Sequence, residues 1–354
     1  MQIDGHHTLT YIAARCAGLN SEDAQIVAYS AQYVDDATNS GVLNFSNGAK
    51  YKRISSAHKI FDYRNSDELA NQQVWLPFHF LPGNAGLAAG QNPEGSFINK
   101  LISTPDSFVA RDMLSLTVVN KAKPYALHRL GITMHVYADT FAHQGFIGQV
   151  HQVNSVDNIE SDDGMSWMEK AKSKAVSSGF PLGHGAALSL PDRPYINWKY
   201  TDSKGEVIER NNTAIFIEAT DKMCRAIRCF SEGREDMNLD SVQGISSIDA
   251  AKIESLLKSI NYSDGEERHA AWLQEIRIGS FSFGADNIEY IAKGEGSWKH
   301  ASIGQLAIED SDGEEFTYAP DFLQSNWKLF HDALQAHRFD ILHDVLPKYG
   351  ICAA

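Results

Sequence analysis

The stretch ALHRLGITMHVYADTFAHQG, residues 126–145, constrains the chain more than any other. Its apolar residues recur with helical period, yet His135 and Asp139 stand at i, i+4 and project from one face of that helix. His143 continues the stripe one turn later, and His128 shares the face from further upstream. A buried Asp without a partner is costly, so a metal or a cationic neighbour has to satisfy it. A divalent ion needs two or more ligands at fixed angles, and this spacing supplies them. An amphipathic helix whose polar residues bond to neighbours is the other reading, and the phase of His143 favours the metal.

Two further segments repeat the pattern of polar groups on apolar faces. Leu9, Ile12, Ala13 and Cys16 form a core stripe with which His6 is in phase, whereas His7 sits a step round the helix, so His6 is expected to point inward. In the next helix Val27, Ala31 and Val34 mark the core face; Asp35 continues it and Asp36 lies beside it. Each Asp has the alternative of pairing with Lys or Arg or capping a loop. His79 sits between aromatic residues in the Pro-bounded WLPFHFLPG, where a packed core histidine competes with a ligand. His184 lies in the Gly-bounded loop PLGHGAALSLPD, with Asp192 nearby, and His151 and His58 read as surface or supporting residues.

Around these residues the chain reads as mainly α. Helices are expected from about Thr8 to Cys16, stopping at Gly18, and from an N-cap at Ser21 to about Asp35. Asn47-Gly48 marks a short hairpin within 40–60, residues 75–100 read as loop, and Thr104-Pro105 and Lys123-Pro124 open two more helices, the second ending at Gly145. A helix from about Met165 to Ser178 precedes an irregular stretch, 180–212, with a hairpin around Asp202–Gly205. Further helices fit 213–231, 248–260, 265–278 and 320–346, and the Gly-rich, acidic 280–318 reads as loops and short strands. The expected organisation is a helical metal-binding core over 1–231 with a mostly helical C-terminal extension over 232–354 packed on it.

In their order these residues resemble the superfamily of zinc-dependent phospholipases C and secreted zinc-dependent single-strand nucleases. That family opens with G-H-x-T-x-x-Y-x-A, matched by Gly5, His6, Thr8, Tyr11 and Ala13; AQYVDD then points to Asp35 as its ligand Asp. His79 in WLPFHF matches an aromatic-flanked ligand His, and Ala126, Leu127, Leu130, His135 and Asp139 match A-L-x-x-L with H-x-x-x-D. The resemblance covers roughly residues 5–192. His143 follows its Asp sooner than in the family and without the Gln-Pro, and the family's downstream His-x-x-x-Asp/Glu is absent, with His184 and Asp192 a partial substitute. Mature members also use their N-terminal residue as a ligand, exposed by signal cleavage, whereas four residues precede Gly5 here.

The resemblance implies a multi-helix phospholipase C/nuclease-like core holding two or three zinc ions. Asp139 would bridge two of them; His79, His135 and Asp35 would hold one, His143 with His184 another, and His6 a third. Water activated by the metal would attack phosphorus, with Asp35 or Asp36 as general base. The chain would then be a metal-dependent phosphodiester hydrolase, phospholipase C-like, with a nuclease or other phosphohydrolase as the alternative. Net charge separates the two: 31 Lys and Arg against 45 Asp and Glu give −14, the opposite of what tracks a nucleic-acid backbone. Asp4 and Asp36, with Tyr11, Tyr33, Trp75, Phe78, Phe80 and Tyr137, would offer a cationic head group such as choline an acidic and aromatic wall. An HD-type phosphohydrolase needs an adjacent His-Asp pair in the core, and His331-Asp332 and His343-Asp344 read as helix surface at the C-terminus. A non-catalytic helical interaction module remains the alternative from another class. No apolar run reaches membrane-spanning length, the N-terminus lacks a Sec signal, and four dispersed cysteines fit reduced thiols. The expectation is a cytoplasmic protein or one exported without a Sec signal peptide.

Overall fold

The computed structural model describes residues 1–57, 68–179, 181–304 and 314–353, and for 68–71 the backbone alone. The chain begins with a π-helical turn, Asp4–Leu9, that runs directly into α1, Thr10–Cys16. The helix therefore starts a turn earlier than its apolar stripe predicts. Its first residues are held in place from outside, since Arg268 donates to Asp4 through Nε at 2.6 Å and to Gln2 Oε1 through Nη2 at 2.6 Å. This buried, charge-assisted pair ties the π turn to a distant part of the chain. α2, Ser21–Asp36, is capped by Asn20 and not by the expected Ser21, because the Asn20 side chain accepts from Asp23 N.

β1, Gly41–Phe45, and β2, Lys50–Arg53, form the hairpin predicted around Asn47-Gly48, and Gly48 takes a φ of +86°. α3, Glu68–Phe78, then occupies the front of a stretch expected to be loop. Pro77 lies in its last turn, and Val74, Leu76 and Phe78 are buried, so tertiary packing outweighs the local proline signal. α4, Ile98–Leu101, is a single turn; α5, Phe108–Val119, is capped by Ser107; α6, Ala126–Ala142, carries the His-Asp motif and ends at His143. β3, Asp157–Ser161, had no counterpart in the sequence reading; it pairs antiparallel with β4, Asn197–Thr201, which forms a hairpin with β5, Val207–Asn211. α7, Trp167–Gly179, lies between β3 and β4 in the chain.

The C-terminal part contributes α8, Asn212–Glu232, α9, Ser247–Ser259, α10, Gly265–Arg277, α11, Trp298–Ile303, a two-residue strand β6, Glu315–Phe316, and α12, Asn326–Asp340. β6 joins β1 in parallel, so the first sheet has the order β2-β1-β6. The protein is mainly α, with two small sheets at its periphery. No helix among the described residues is long and apolar enough to cross a membrane.

α6 is the central element: α2, α5, α8 and α12 all pack on it. Its contact with α2 depends on Gly131, where an added Cβ would stand 2.3 Å from the Val27 carbonyl oxygen and 2.5 Å from Ser30 Cβ. Absence of a side chain at this one position lets the helices touch backbone to backbone, which brings Asp35 and His135 to the same place.

α12 corrects one sequence expectation. His331 is buried against Trp327, not displayed on the surface, while His343 and Asp344 are exposed as expected. Burial, and after it the nearby Arg53 cation, lowers His331 to about 3, and burial lowers His128 to about 4. Both are neutral in the fold but protonate below about 6.5 once unfolded, so their contribution is present above that pH and lost as pH falls towards 4. Denaturant midpoints measured from pH 7 to 4.5 should fall, and His331→Gln should flatten that slope; an unchanged slope would place the proton uptake elsewhere.

Gly131→Ala tests the helix contact. It should cost about 1–3 kcal/mol by overpacking, despite the better helix propensity of Ala. Urea unfolding that shows no loss would mean that α2 and α6 can separate freely.

Candidate metal centre

Four helical segments bring their chemistry-bearing residues to one buried point. α6 contributes His135, Asp139 and its C-cap His143; the end of α2 contributes Asp35; the turn after α3 contributes His79; the π turn contributes His6. The loop over 181–192 closes the group with His184 and Asp192.

The imidazoles share a rule. His135 Nδ1 donates to the Ala31 carbonyl at 2.8 Å, His79 Nε2 to Ser56 O at 2.9 Å, His143 Nδ1 to His79 O at 2.9 Å, and His184 Nδ1 to Leu188 O at 2.9 Å. A carbonyl can only accept, so in each ring the bonded nitrogen carries the proton and the other presents a lone pair. Those lone pairs converge on carboxylates. His135 Nε2 lies 3.4 Å and His79 Nδ1 3.5 Å from Asp139 Oδ2, and both stand within 4 Å of Asp35 Oδ1 (3.9 and 3.8 Å). His79 Nδ1 and His135 Nε2 face each other at 3.2 Å. Two lone pairs and two carboxylates so close repel one another unless a cation joins them. His143 Nε2 lies 3.6 Å from Asp192 Oδ1, and His184 Nε2 lies 3.8 Å from Asp192 Oδ2.

His6 is stacked on His135 with ring centroids 3.7 Å apart, and its Nε2 lies 3.3 Å from Asp139 Oδ1. Both of its ring nitrogens, with Asp139 Oδ2 and Asp192 Oδ1, are buried without a hydrogen-bond partner. Beside them lies the Met1 amine, 2.6 Å from Asp139 Oδ1, 3.3 Å from Asp192 Oδ1 and 3.5 Å from His143 Nε2. Gly5 makes this possible, since a Cβ there would stand 2.9 Å from the Met1 Cβ.

The electrostatics follow from this crowding. Burial lowers His6 and His135 to about 4, so both are neutral, as ligands must be. Burial also lowers His184 and raises Asp35. Burial pushes Asp139 up, but His143, the Met1 amine, His6 and His135 outweigh it and hold the carboxyl well below its usual range. Burial disfavours the charge on the Met1 amine, yet Asp139 and Asp192 raise it to about 11. Three ligand groups stand out: His6 with Asp35 and His135, His79 with His135 and Asp139, and His143 with His184 and Asp192. Neutral imidazoles, anchored at their outer nitrogens and facing unpartnered buried carboxylate oxygens, are the donor set that divalent metals take. The residues fit a metal.

The expected residues His6, Asp35, His79, His135, Asp139, His143 and His184 all meet here. Asp36 does not: its Oδ2 accepts from Tyr290 OH at 2.5 Å and from Gln32 Nε2 at 3.1 Å. His128 is turned away to Asn326, and His151 is exposed and caps a short turn; His58 lies outside the described residues. His7, expected to sit to the side, is as buried as His6 because the wide π turn carries both inward, and its Nδ1 lies 2.9 Å from His269 Nε2. The expected aromatic and acidic wall is also corrected. Tyr11, Tyr33, Phe78, Phe80 and Tyr137 are core residues with at most 4% exposure, and Asp4 is 1% exposed on Arg268; Trp75, its ring 5.2 Å from that of His79, and Asp36 remain half-buried.

Sequence reasoning left two groups out of the ligand set. Asp192 had a signal, a carboxylate eight residues after His184 in a Gly/Pro-bounded loop. That loop carries Leu188 at φ +57°, a strained conformation for a bulky residue, held where its carbonyl orients His184. The Met1 amine had no side-chain signal at all.

The profile described as "Family of unknown function (DUF6765)" matches residues 1–345, so the chain belongs to that family. No curated protein and no solved structure matches it.

Asp139 touches the largest number of partners in the centre, so Asp139→Asn should weaken divalent-metal binding by more than about 100-fold in a chelator competition. His151→Ala should leave it unchanged. Equal effects would displace the centre from α6.

Proposed function

We propose that this member of a family of unknown function is a zinc-dependent phosphodiester hydrolase of the phospholipase C type. The observation that supports it most is the convergence of five histidines and three aspartates, with four imidazoles pinned by backbone carbonyls and buried acceptor atoms without partners. In this reading Asp35, His79, His135 and Asp139 hold one zinc ion, and His143, His184 and Asp192 a second. His6, whose Nε2 lies 3.3 Å from Asp139 Oδ1, would serve a third. Bound zinc supplies Lewis acidity at a phosphoryl oxygen and acidifies water for attack at phosphorus.

The chain's own groups divide the remaining work. Asp35 is about one-third exposed (34%) while Asp139 and Asp192 are at most 10% exposed, so it is the carboxylate that reaches the solvent side. Burial raises its pKa, whereas their neighbours hold Asp139 and Asp192 low. It accepts the proton of the attacking water. The water oxygen joins phosphorus, the P–O ester bond breaks, and the leaving alcohol takes a proton, giving a phosphomonoester and an alcohol. Asp36 orients the end of α2 through Tyr290 and is not the base.

A lipid is favoured over a polynucleotide by charge. The chain carries −14, and the arginines beside the centre are engaged: Arg193 with Asp163 and Glu169, Arg268 with Asp4. A strand of phosphates needs cations that are available. With only Trp75 of the expected aromatic wall outside the core, the reading no longer favours choline over other head groups.

The test is the zinc-loaded protein on phosphatidylcholine, phosphatidylglycerol and single-stranded DNA, with Asp35→Asn alongside. Release of a phosphorylated head group, lowered roughly 10²–10⁴-fold by the substitution, is expected. Faster cleavage of DNA would make it a nuclease, and no cleavage of any of the three would overturn the reading.

A further inference from the structure

α7 turns little apolar surface inward: Ser173 and Ser177 are 2% and 6% exposed, and half-buried Val176 packs against the core beside them. Ser177 Oγ donates to Val156 O at 2.9 Å and accepts from Val156 N at 3.1 Å, while Ser155 Oγ donates to Ser177 O at 3.0 Å. The opposite face carries Trp167 and Met168, 78% and 64% exposed, with exposed Ala171 and Ala175 continuing the stripe one and two turns on. A helix that only served to cover a core would turn that face inward.

Charge decorates the apolar face on both sides. Lys170 and Lys174 flank it on one edge and Lys172 on the other, all exposed. The one acidic residue of the helix, Glu169, is folded back into its cap, taking Ser166 N at 2.9 Å, with Arg193 at 3.7 Å. Glu160 pairs with Lys199 and Asp163 with Arg193, while Asp157 and Glu160 line the same hollow as Lys170 and Lys174. On a chain of net charge −14, a lysine-edged stripe bearing an exposed tryptophan is a local reversal.

We infer that the outward face of α7 docks on an anionic lipid bilayer. Trp167 and Met168 would lie at the headgroup–acyl boundary, and the three lysines would meet lipid phosphates, as in helices that lie in the membrane interface. The three flanking lysines complement the charge of an anionic lipid surface. α7 packs on the short turn after His184, so docking would set the bilayer beside the candidate metal centre. The inference does not rest on the hydrolase reading, because binding requires neither metal nor turnover.

The experiment is co-sedimentation of the full chain with vesicles of phosphatidylcholine alone and with about one-third phosphatidylglycerol, at low and high salt. Binding to the anionic vesicles, weakened by salt, is expected. The double variant Trp167→Ser/Met168→Ser and the triple variant Lys170→Gln/Lys172→Gln/Lys174→Gln should each bind at least about tenfold more weakly. Their melting temperatures should match the parent, since the replaced side chains are solvent-facing. Absent binding, or equal binding by parent and variants, overturns the inference. So does a dimer in light scattering that the Trp167→Ser/Met168→Ser variant abolishes, because the occupant would then be a second copy.

Discussion

Asp139 is a carboxylate 1% exposed, in a position where water cannot solvate it, and the arrangement of the first half of the chain answers to it. An ionised carboxylate in that environment is severely destabilising unless positive charge or coordinating hydrogen-bond donors surround it. Here the Met1 amine is 2.6 Å away, while imidazole nitrogens of His6, His79, His135 and His143 stand within 3.5 Å, an arrangement that a shared cation would satisfy. The π turn, the ends of α2 and α3, and the C-cap of α6 each deliver one of the groups that make up this cluster. Electrostatic cost at one atom is therefore distributed over several elements that are distant in sequence.

The geometry is held by devices that lie outside the cluster itself. Gly131 brings two helix backbones together, and Gly5 lets Met1 fold back so that its amine reaches the carboxylates. Arg268, on a helix from the C-terminal part, clamps Asp4 and Gln2 and thereby the π turn that carries His6. The carbonyls of Ala31, Ser56, His79 and Leu188 set the four anchored rings. Such outer partners orient ligands and raise their basicity, so they are as much part of a metal centre as the donor atoms. The C-terminal helices are structurally tied to the centre through Arg268, and through α12 packed on α6.

The proposed chemistry and the proposed membrane contact meet at one loop. Residues 181–192 supply His184 and Asp192 to the centre, and the same loop supports α7. A surface that binds a bilayer, beside a site that takes a phosphodiester, is a coherent arrangement for an enzyme whose substrate does not leave the membrane. Each half stands on separate observations, one on buried donor atoms and one on an exposed face.

Period and spacing alone determined that α6 would be a helix with His135 and Asp139 on one face, and that His6 and Asp35 would lie in phase with apolar stripes; the family resemblance added His79 and a shared site. Period and phase are local properties: side-chain direction on a helix follows from its pitch, and a polar group in an apolar stripe declares its own cost. The hairpin at Asn47-Gly48 was legible for the same reason, since a left-handed turn residue acts within a few positions. What only the tertiary structure decided depends on contacts between distant segments. The choice of general base between Asp35 and Asp36 stayed open in the sequence, and in the fold Tyr290 takes the Asp36 carboxylate. Apart from Trp75, the aromatic residues between the ligands turned out to be core because packing, not sequence neighbourhood, decides which side of a ring meets solvent. His7 was drawn inward by a π turn that no propensity announces and that Arg268 sustains from far along the chain. The Met1 amine entered the centre as a backbone group, invisible to any pattern of side chains, because the fold returned the start of the chain to Asp139.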